Sequence, residues 1–547
     1  MLDSSTAALM GYGLAGFLLA FKLLTLNREV SSGTFSNSPL NLGWGIHHDE
    51  KFAAHDAKVL ALGKRYPGQL PDYRHYPVSA AFGLGGSLLL AFSFRLFGVN
   101  NFGLRVVLAL LSSLSDFFMV ALLNQFFPPA LALGLSALYL LNFNHFIYSR
   151  HAVMEHFLFA ACQGLFLVWG LFPGWLIANA FWIAAALGAQ VFIKWSFPVA
   201  SGLLLALLLL CSGAPVAVYA QALAGGLAGT AVIGAMQLVA LRRLGLLDAY
   251  FLNIRTVFSY HAGKESLCDH VATVLGWRAI PKFVTEFVRY HCGLRVEGGD
   301  RWVCRAFIAL LGAGVLGLIL QYPELPVRDQ RLAVMLALYH LLNFVMLAMF
   351  MVYLKRLVTI FPFSFMLLGL VIHRSGGWLM AQSALAGRLL PFLGWTILAY
   401  VLFKQFSMAL SRYSRSRGQW LSGEALHAVA KTITAPVPVG EVLHVHGLAF
   451  RMLWRNLTHR VVGIDEQFAW WPLSFLHWAM KEKARWIVMP MLREQPLPRE
   501  TNALLRRVTS VEVPTVAGDV PLDLVLYEVR SPYNGCSPCM ATQEKTI

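Results

Sequence analysis

Residues Ala7–Leu26 read AALMGYGLAGFLLAFKLLTL. A helix needs about 20 apolar residues to cross the ~30 Å hydrocarbon core of a bilayer, and this run is long enough. No small-residue cleavage site follows it, so it reads as a retained first span rather than a signal peptide. Working outward, similar apolar segments recur at 78–97, 103–124, 127–146, 156–173, 174–193, 195–212, 214–241, 303–321, 331–353, 357–373 and 387–404. Only 13% of the 547 residues are charged, and the mean hydropathy is +0.59. Soluble domains carry about 25% charged residues, which sets this chain apart from them. The expected fold is an all-α polytopic membrane protein of about eleven spans with interfacial helices.

Three polar regions interrupt the pattern: 27–77, 242–302 and a tail from 405. The chain therefore divides into a membrane domain, 1–404, with large loops at 27–77 and 242–302, and a tail, 405–547. The tail has alternating β-prone runs at Glu441–His446, Arg485–Met489 and Leu522–Tyr527, with helix-like stretches between them. It is expected to form a small soluble α/β domain. No internal repeat or low-complexity linker is visible.

The net charge of +16 would point to nucleic acid in a soluble protein. Among apolar spans, basic residues meet lipid phosphates instead, so membrane lipids are the expected partners and nucleic acid is not. The seven cysteines form no disulfide framework. Cys536-Ser-Pro-Cys539 has a redox or metal spacing, but a lone CxxC in a polar tail is weak evidence, and a pair of tail thiols or one disulfide is the plainer reading. Cys268-Asp-His270 and His291-Cys292 would suit zinc only if they converged, and their gap matches no known signature.

The polar stretch after the first span, Gly43–Leu60, reads GWGIHHDEKFAAHDAKVL. Asp49 and Asp56 are two helical turns apart and share a face, as do His48 and His55. The segment from Asp49 to Leu60 suits a helix lying on the membrane surface. Three readings remain open: an aspartate that accepts a proton from an attacking hydroxyl, a His–carboxylate metal site, or a solvated amphipathic helix. Its His-Asp-Glu-x-x-x-x-His spacing differs from the HExxH zinc helix.

Further along, Glu155 opens an apolar segment, where a carboxylate is costly unless it faces a cavity or a partner; Arg150 and His156 are near in sequence. Lys194 lies between two apolar runs and either snorkels or serves a site. The second loop carries Tyr250 and Arg255, then Lys264, Lys282, Arg289 and Arg295 among aromatic residues, a composition suited to a lipid phosphate.

Taken in order, these patches resemble the GT-C class of membrane glycosyltransferases. The likeness is to the branch that holds protein O-mannosyltransferases and lipid A aminoarabinose transferases. It is carried by His48-Asp49-Glu50 after the first span, then Arg74-His75-Tyr76-Pro77, Arg95-Leu-Phe-Gly98 and Asn101-Phe-Gly-Leu-Arg105. Ser149-Arg150 leading to Glu155, Lys194, Tyr250 to Arg255, and Lys355-Arg356 before Pro362 continue it, so that it covers about residues 7–370. The chain departs from the pattern in having Glu155 where aspartate is usual, and Arg74, His75 and a single proline where a lysine before a proline pair is frequent.

The resemblance implies transfer of a sugar, with inversion, from an undecaprenyl or dolichyl phosphate to a hydroxyl or phosphate acceptor on a lipid, glycan or protein. It makes Asp49 the general base, with Glu155 and Glu50 orienting the acceptor or holding the surroundings of Asp49. Lys194, Arg255, His75, Arg74 and Lys355 become the contacts to the donor phosphate. His48, Arg150 and Tyr250 would line the cavity. Some members of the class bind a divalent metal ion and others need none; the candidate ligands are Asp49, His48 and Glu155, and no other cofactor is implied.

The resemblance also places Asp49 and Glu155 together on the extracytoplasmic face of a multi-pass protein of the bacterial inner membrane or its equivalent. Three apolar segments separate the two acids, so one must not cross; 78–97 is expected to lie along the interface. The tail then falls outside, whereas the basic run Arg412–Arg417 argues for a cytoplasmic tail. Two other classes fit the composition: a multi-span transporter of a lipid or small anionic substrate, and a non-catalytic subunit of the same fold.

Overall fold

The computed structural model describes residues 3–29, 48–62, 83–243, 301–349, 361–376, 396–407, 421–464 and 475–530, together with residues near 247–251, Val288 and His291. Single residues and short stretches inside these ranges are excepted. The described chain is a helical bundle of several long apolar helices with a small strand-containing domain at its C-terminal end.

Helix α1 spans Ser4–Thr25, and a short strand β1, Arg28–Glu29, follows it. Then come α2 (His48–Ala61), α3 (Leu84–Phe97), α4 (Asn101–Phe126), α5 (Pro129–Leu140) and the short α6 (Phe143–Tyr148). After a turn come α7 (Glu155–Leu171), α8 (Pro173–Ala178), α9 (Ala180–Gly188), a single 3-10 turn at Ala189–Phe192, α10 (Phe197–Cys211) and α11 (Val216–Arg243). The rest of the bundle is α12 (Arg301–Leu320), α13 (Val327–Met349), α14 (Phe361–Val371) and helical residues at 396–407. Among the described residues, four helices are long and apolar enough to cross a membrane: Ser4–Thr25, Asn101–Phe126, Val216–Arg243 and Trp302–Leu320.

The local rules that start these helices are ordinary ones. Asp3, Asn100 and Asn142 cap α1, α4 and α6, each side chain accepting a backbone N–H of the first turn. Proline stands at the first or second position of α5, α8 and α10, where its missing N–H costs nothing. Gly98, with φ 81°, makes the left-handed corner between α3 and α4. A single apolar core runs through α1, α2, α4, α5, α7, α10, α13 and α14.

Helices α9 and α11 approach so closely that a side chain at Gly225 or Gly229 would run into the carbonyl oxygens of Phe181 and Ala185. Their four-residue spacing is the small-residue seam that lets apolar helices pack backbone to backbone in lipid. Gly229→Val is therefore expected to destabilise the purified protein by about 1–3 kcal/mol, the usual cost of overpacking. Thermal unfolding in detergent checks this. Gly234→Val, where the same helix has open space, is the control.

One end of the bundle gathers a group of polar contacts between elements. There Arg105 Nη1 donates to the Leu26 carbonyl at 3.2 Å, and the Phe102 N–H donates to Asn27 Oδ1 at 3.0 Å. Both ends of α3 lie at that same end. Its start is tied to the 3-10 turn by the Gly83 N–H donating to the Ile193 carbonyl at 2.7 Å. Its finish stacks Phe94 on Trp454 with ring centroids 5.9 Å apart, and Ser93 Oγ donates to the Gly103 carbonyl at 2.5 Å. Fourteen residues of helix reach only about 21 Å at 1.5 Å per residue, short of the ~30 Å core.

The C-terminal domain holds strand β2 (Leu421–Ser422), helix α15 (Gly423–Thr434) and strands β3 (Val442–His446), β4 (Arg460–Ile464), β5 (Trp486–Leu492), β6 (Leu505–Glu512) and β7 (Leu522–Val529). The five-stranded sheet has the order β4-β3-β5-β7-β6, with β3 parallel to β4 and β5, and β7 antiparallel to β5 and β6. Alternate residues supply two cores. Leu443, Val445, Val488, Leu524 and Leu526 pack against α15 on one face, and Ile487, Met489, Val525 and Tyr527 pack against Phe475 and Leu476 on the other. The domain docks on the polar end of the bundle, where β1 pairs antiparallel with β2.

Candidate functional site

The site grows from α2 and from the turn between α6 and α7. On α2, residues 50, 53, 54, 57 and 58 are buried and fall on one face. Glu50 is the anchor of that face. Arg105 of α4 meets it with two parallel hydrogen bonds, Nε to Oε1 at 2.9 Å and Nη2 to Oε2 at 2.8 Å. The Ala152 N–H donates to Oε1 at 2.5 Å, and His151 Nδ1 lies 3.3 Å from Oε2. Burial would raise the Glu50 carboxyl, but Arg105 and then His151 hold it well below the usual range, so it is ionised. One carboxylate thus ties α2 to α4 and to the turn that leads into α7.

That turn ends at Glu155, the first residue of α7, where the positive end of a helix dipole favours an acid. Lys194 Nζ donates to Glu155 Oε1 at 2.6 Å and also lies 5.7 Å from the centroid of the Phe197 ring. Two residues read separately from the sequence are thus in contact. Their side chains are 23% and 22% exposed, whereas Glu50 and Arg105 are almost fully buried. The difference decides what each pair can do. Breaking a buried pair costs about 3–5 kcal/mol. A pair that touches water is worth about 0–1 kcal/mol and exchanges partners easily.

Tyr250 joins the same neighbourhood. It packs with Leu60, Leu84, Phe192 and Leu241, and Gln237 Nε2 donates to its hydroxyl at 3.1 Å. Arg150 is buried, donates to the Thr25 carbonyl and lies over the Phe146 ring at 5.6 Å, so it fastens the turn to α1. Asp49 and His48 are in α2, next to Glu50 in the backbone, and their side chains lie outside the described residues. Arg74, His75, Arg255 and Lys355 lie outside the described residues, as do Cys536 and Cys539.

Among the described residues, no group of three His, Cys, Asp or Glu side chains converges as a metal site. Glu155 already has an ammonium against it, which opposes a second cation at the same oxygen.

Sequence reading passed over a buried cluster deeper in the bundle. Asp116 of α4 receives Lys22 Nζ from α1 at 2.5 Å and lies 2.8 Å from His145 Nε2 of α6. The His145 ring lies 4.5 Å from Tyr139 and 5.4 Å from Phe361. Ser115 Oγ donates to Gln163 Oε1 at 2.5 Å beside it. The signal for this cluster was present: Lys22 and Asp116 are lone charges inside apolar runs, and such charges pair with each other or line a cavity.

No family model matches this sequence, and no curated protein does. Among solved structures, the chain is similar to ArnT from Cupriavidus metallidurans bound to undecaprenyl phosphate, with 14% identity, a TM-score of 0.48, and 96% of this chain and 99% of that one covered. Against the same protein in the apo state the identity is 15% and the TM-score 0.42, over 96% and 99% of the two chains. At such identity no residue role passes from those proteins to this chain.

Proposed function

We propose that this protein transfers a sugar from a polyprenyl phosphate to a hydroxyl or phosphate acceptor, with inversion at the sugar carbon. The observation that carries the reading is the half-buried Glu155–Lys194 pair, held at the same end of the bundle as the helix that bears Asp49. In the proposed step an acceptor hydroxyl attacks the sugar carbon and gives its proton to Asp49. The bond from that carbon to the phosphate oxygen breaks, and the electron pair leaves with the lipid phosphate.

Negative charge grows on the phosphate, and a fixed cation beside it lowers the barrier. Lys194 supplies that cation by moving from Glu155 to the phosphate, and Glu155 Oε1 then accepts a hydrogen bond from the acceptor. Arg255, Arg74, His75 and Lys355 are the further phosphate contacts in this reading. Glu50 fixes α2, and Tyr250 walls the cavity. No step is routed through a metal ion.

The chain is proposed to cross the membrane about eleven times, with the segment at α3 lying along the surface. The placement of both α3 ends at one end of the bundle supports this. The C-terminal domain then shares the site's side, taken as extracytoplasmic, which the contacts of β1 and Trp454 support. Acceptor classes are lipid, glycan or protein.

Mass spectrometry of lipid extracted with the purified protein tests the donor class: a polyprenyl phosphate sugar is expected, and its absence together with failure to bind added undecaprenyl phosphate would overturn the reading. Lys194→Gln is expected to weaken undecaprenyl phosphate binding about tenfold or more, since a hydrogen bond to a charged group is worth about 1.5–3 kcal/mol. A calorimetric titration measures it. The buried Lys22–Asp116–His145 cluster favours one other reading, a transporter coupled to an intramembrane charge. Flux in liposomes, with no sugar transfer, would decide for it.

A further inference from the structure

The turn that docks the C-terminal domain is built from neighbours that belong to two cores. Leu453 lies in the core of the C-terminal sheet, while Trp454 is buried in the core of the membrane bundle and stacks on Phe94. Arg455 reaches back with Nε to the Val99 carbonyl at 3.1 Å and pairs with Glu424 of α15 at 2.8 Å. Into this turn runs Lys58 of α2. Its buried ammonium donates to the Trp454 carbonyl at 2.7 Å and to the Asn456 carbonyl at 2.9 Å. Lys58 lies eight residues after Glu50 and on the same buried face. The helix is therefore pinned at one end to the bundle through Arg105, and at the other to the C-terminal domain through Lys58.

We infer that the C-terminal domain is a positioning element of the active site, holding α2 in place through Lys58 and the carbonyls of Trp454 and Asn456. The inference rests on the functional reading only where Asp49 is concerned; the clamp itself is a matter of contacts. A lysine so deep in a protein is expensive, and burial pushes this ammonium down to about 7. Its two hydrogen bonds run to backbone, across almost four hundred residues of chain, so they specify a place between domains rather than a local fold. Ala53, Ala54 and Ala57 pack α2 on the bundle, and Lys58 adds the polar tie from this helix to the C-terminal domain.

The test uses the full-length protein. Lys58→Met keeps the stem and removes the donors; Arg455→Ala loosens the same turn without touching α2. Hydrogen exchange followed by mass spectrometry is expected to show α2 amides exchanging about tenfold faster in Lys58→Met, with a smaller rise in Arg455→Ala, and with the sheet and α4 unchanged. Turnover is read with undecaprenyl phosphate mannose, aminoarabinose or galacturonic acid, whichever the wild type uses. The rate at saturation is expected to fall about tenfold while the donor KM stays near wild type, as befits a catalytic helix held loosely rather than a lost phosphate contact. Unchanged exchange in α2 in both variants would overturn the clamp. Faster exchange of α2 with full turnover would leave the contact standing and overturn its positioning role.

Discussion

Asp49→Asn is expected to lower turnover about 10²–10⁴-fold, the range that a positioned general base contributes. The helix that carries it is fastened independently of it. Glu50 is held by Arg105, His151 and the Ala152 N–H, Ala53, Ala54 and Ala57 fill the core, and Lys58 holds the far end. Asparagine is isosteric with aspartate and leaves all of these contacts in place, so the variant is expected to insert, fold and bind undecaprenyl phosphate like the wild type. The loss should then fall on the rate at saturating donor. Asp56→Asn, the other aspartate of the same helix, is the comparison and is expected to turn over near the wild-type rate. A purified Asp49→Asn protein with near wild-type turnover would remove the base from Asp49, whatever the remaining residues do.

Much of the fold is legible in the sequence because lipid imposes a simple rule. Apolar runs near the length of a bilayer become helices, and the runs at 103–124, 214–241 and 303–321 fall on α4, α11 and α12 within a few residues. The β-prone runs of the tail fall on β3, β5 and β7, since alternation along a strand shows directly as alternate burial. Strands β4 and β6 were not read. β6 is mostly half-buried and carries the exposed Arg506 and Arg507, so its alternation is blurred by surface charge.

The site was less legible than the fold. Glu155 and Lys194 stand out as charges at span boundaries, but their contact depends on how α7 and the 3-10 turn pack, which no local pattern encodes. Glu50 is read from the sequence as a neighbour of Asp49 that points elsewhere, with no sign of the partner it meets. Neighbouring positions on a helix point about 100° apart, so one faces the core while the other cannot. Only the partner on α4 tells which is which. Arg105 stands out only as part of a motif, and nothing local marks Lys58 as buried.

The second large effect concerns that partner. Glu50→Gln and Arg105→Met are each expected to destabilise the protein by about 3–5 kcal/mol, because each leaves one member of a buried ion pair without its countercharge. The two are not equivalent. Arginine cannot shed its proton, so Glu50→Gln strands a permanent charge in the core. In Arg105→Met the remaining carboxyl can take a proton and become neutral. With the arginine gone the main charge that held it down is lost, and burial, opposed by His151 and the Ala152 N–H, raises it. The sign follows: with a folded-state value above the unfolded one, Arg105→Met loses stability as pH rises from the unfolded carboxyl's value up through the raised folded-state value, and recovers as pH falls. Glu50→Gln shows no such recovery. The double variant buries no stranded charge and is expected to be more stable than the sum of the single losses allows. Thermal unfolding of the four proteins in detergent, at pH 5 and pH 8, measures all of this. Additive losses, with the same pH response in both single variants, would mean that Glu50 and Arg105 do not hold α2 as a pair, and the anchoring of the candidate site would have to lie elsewhere on that helix.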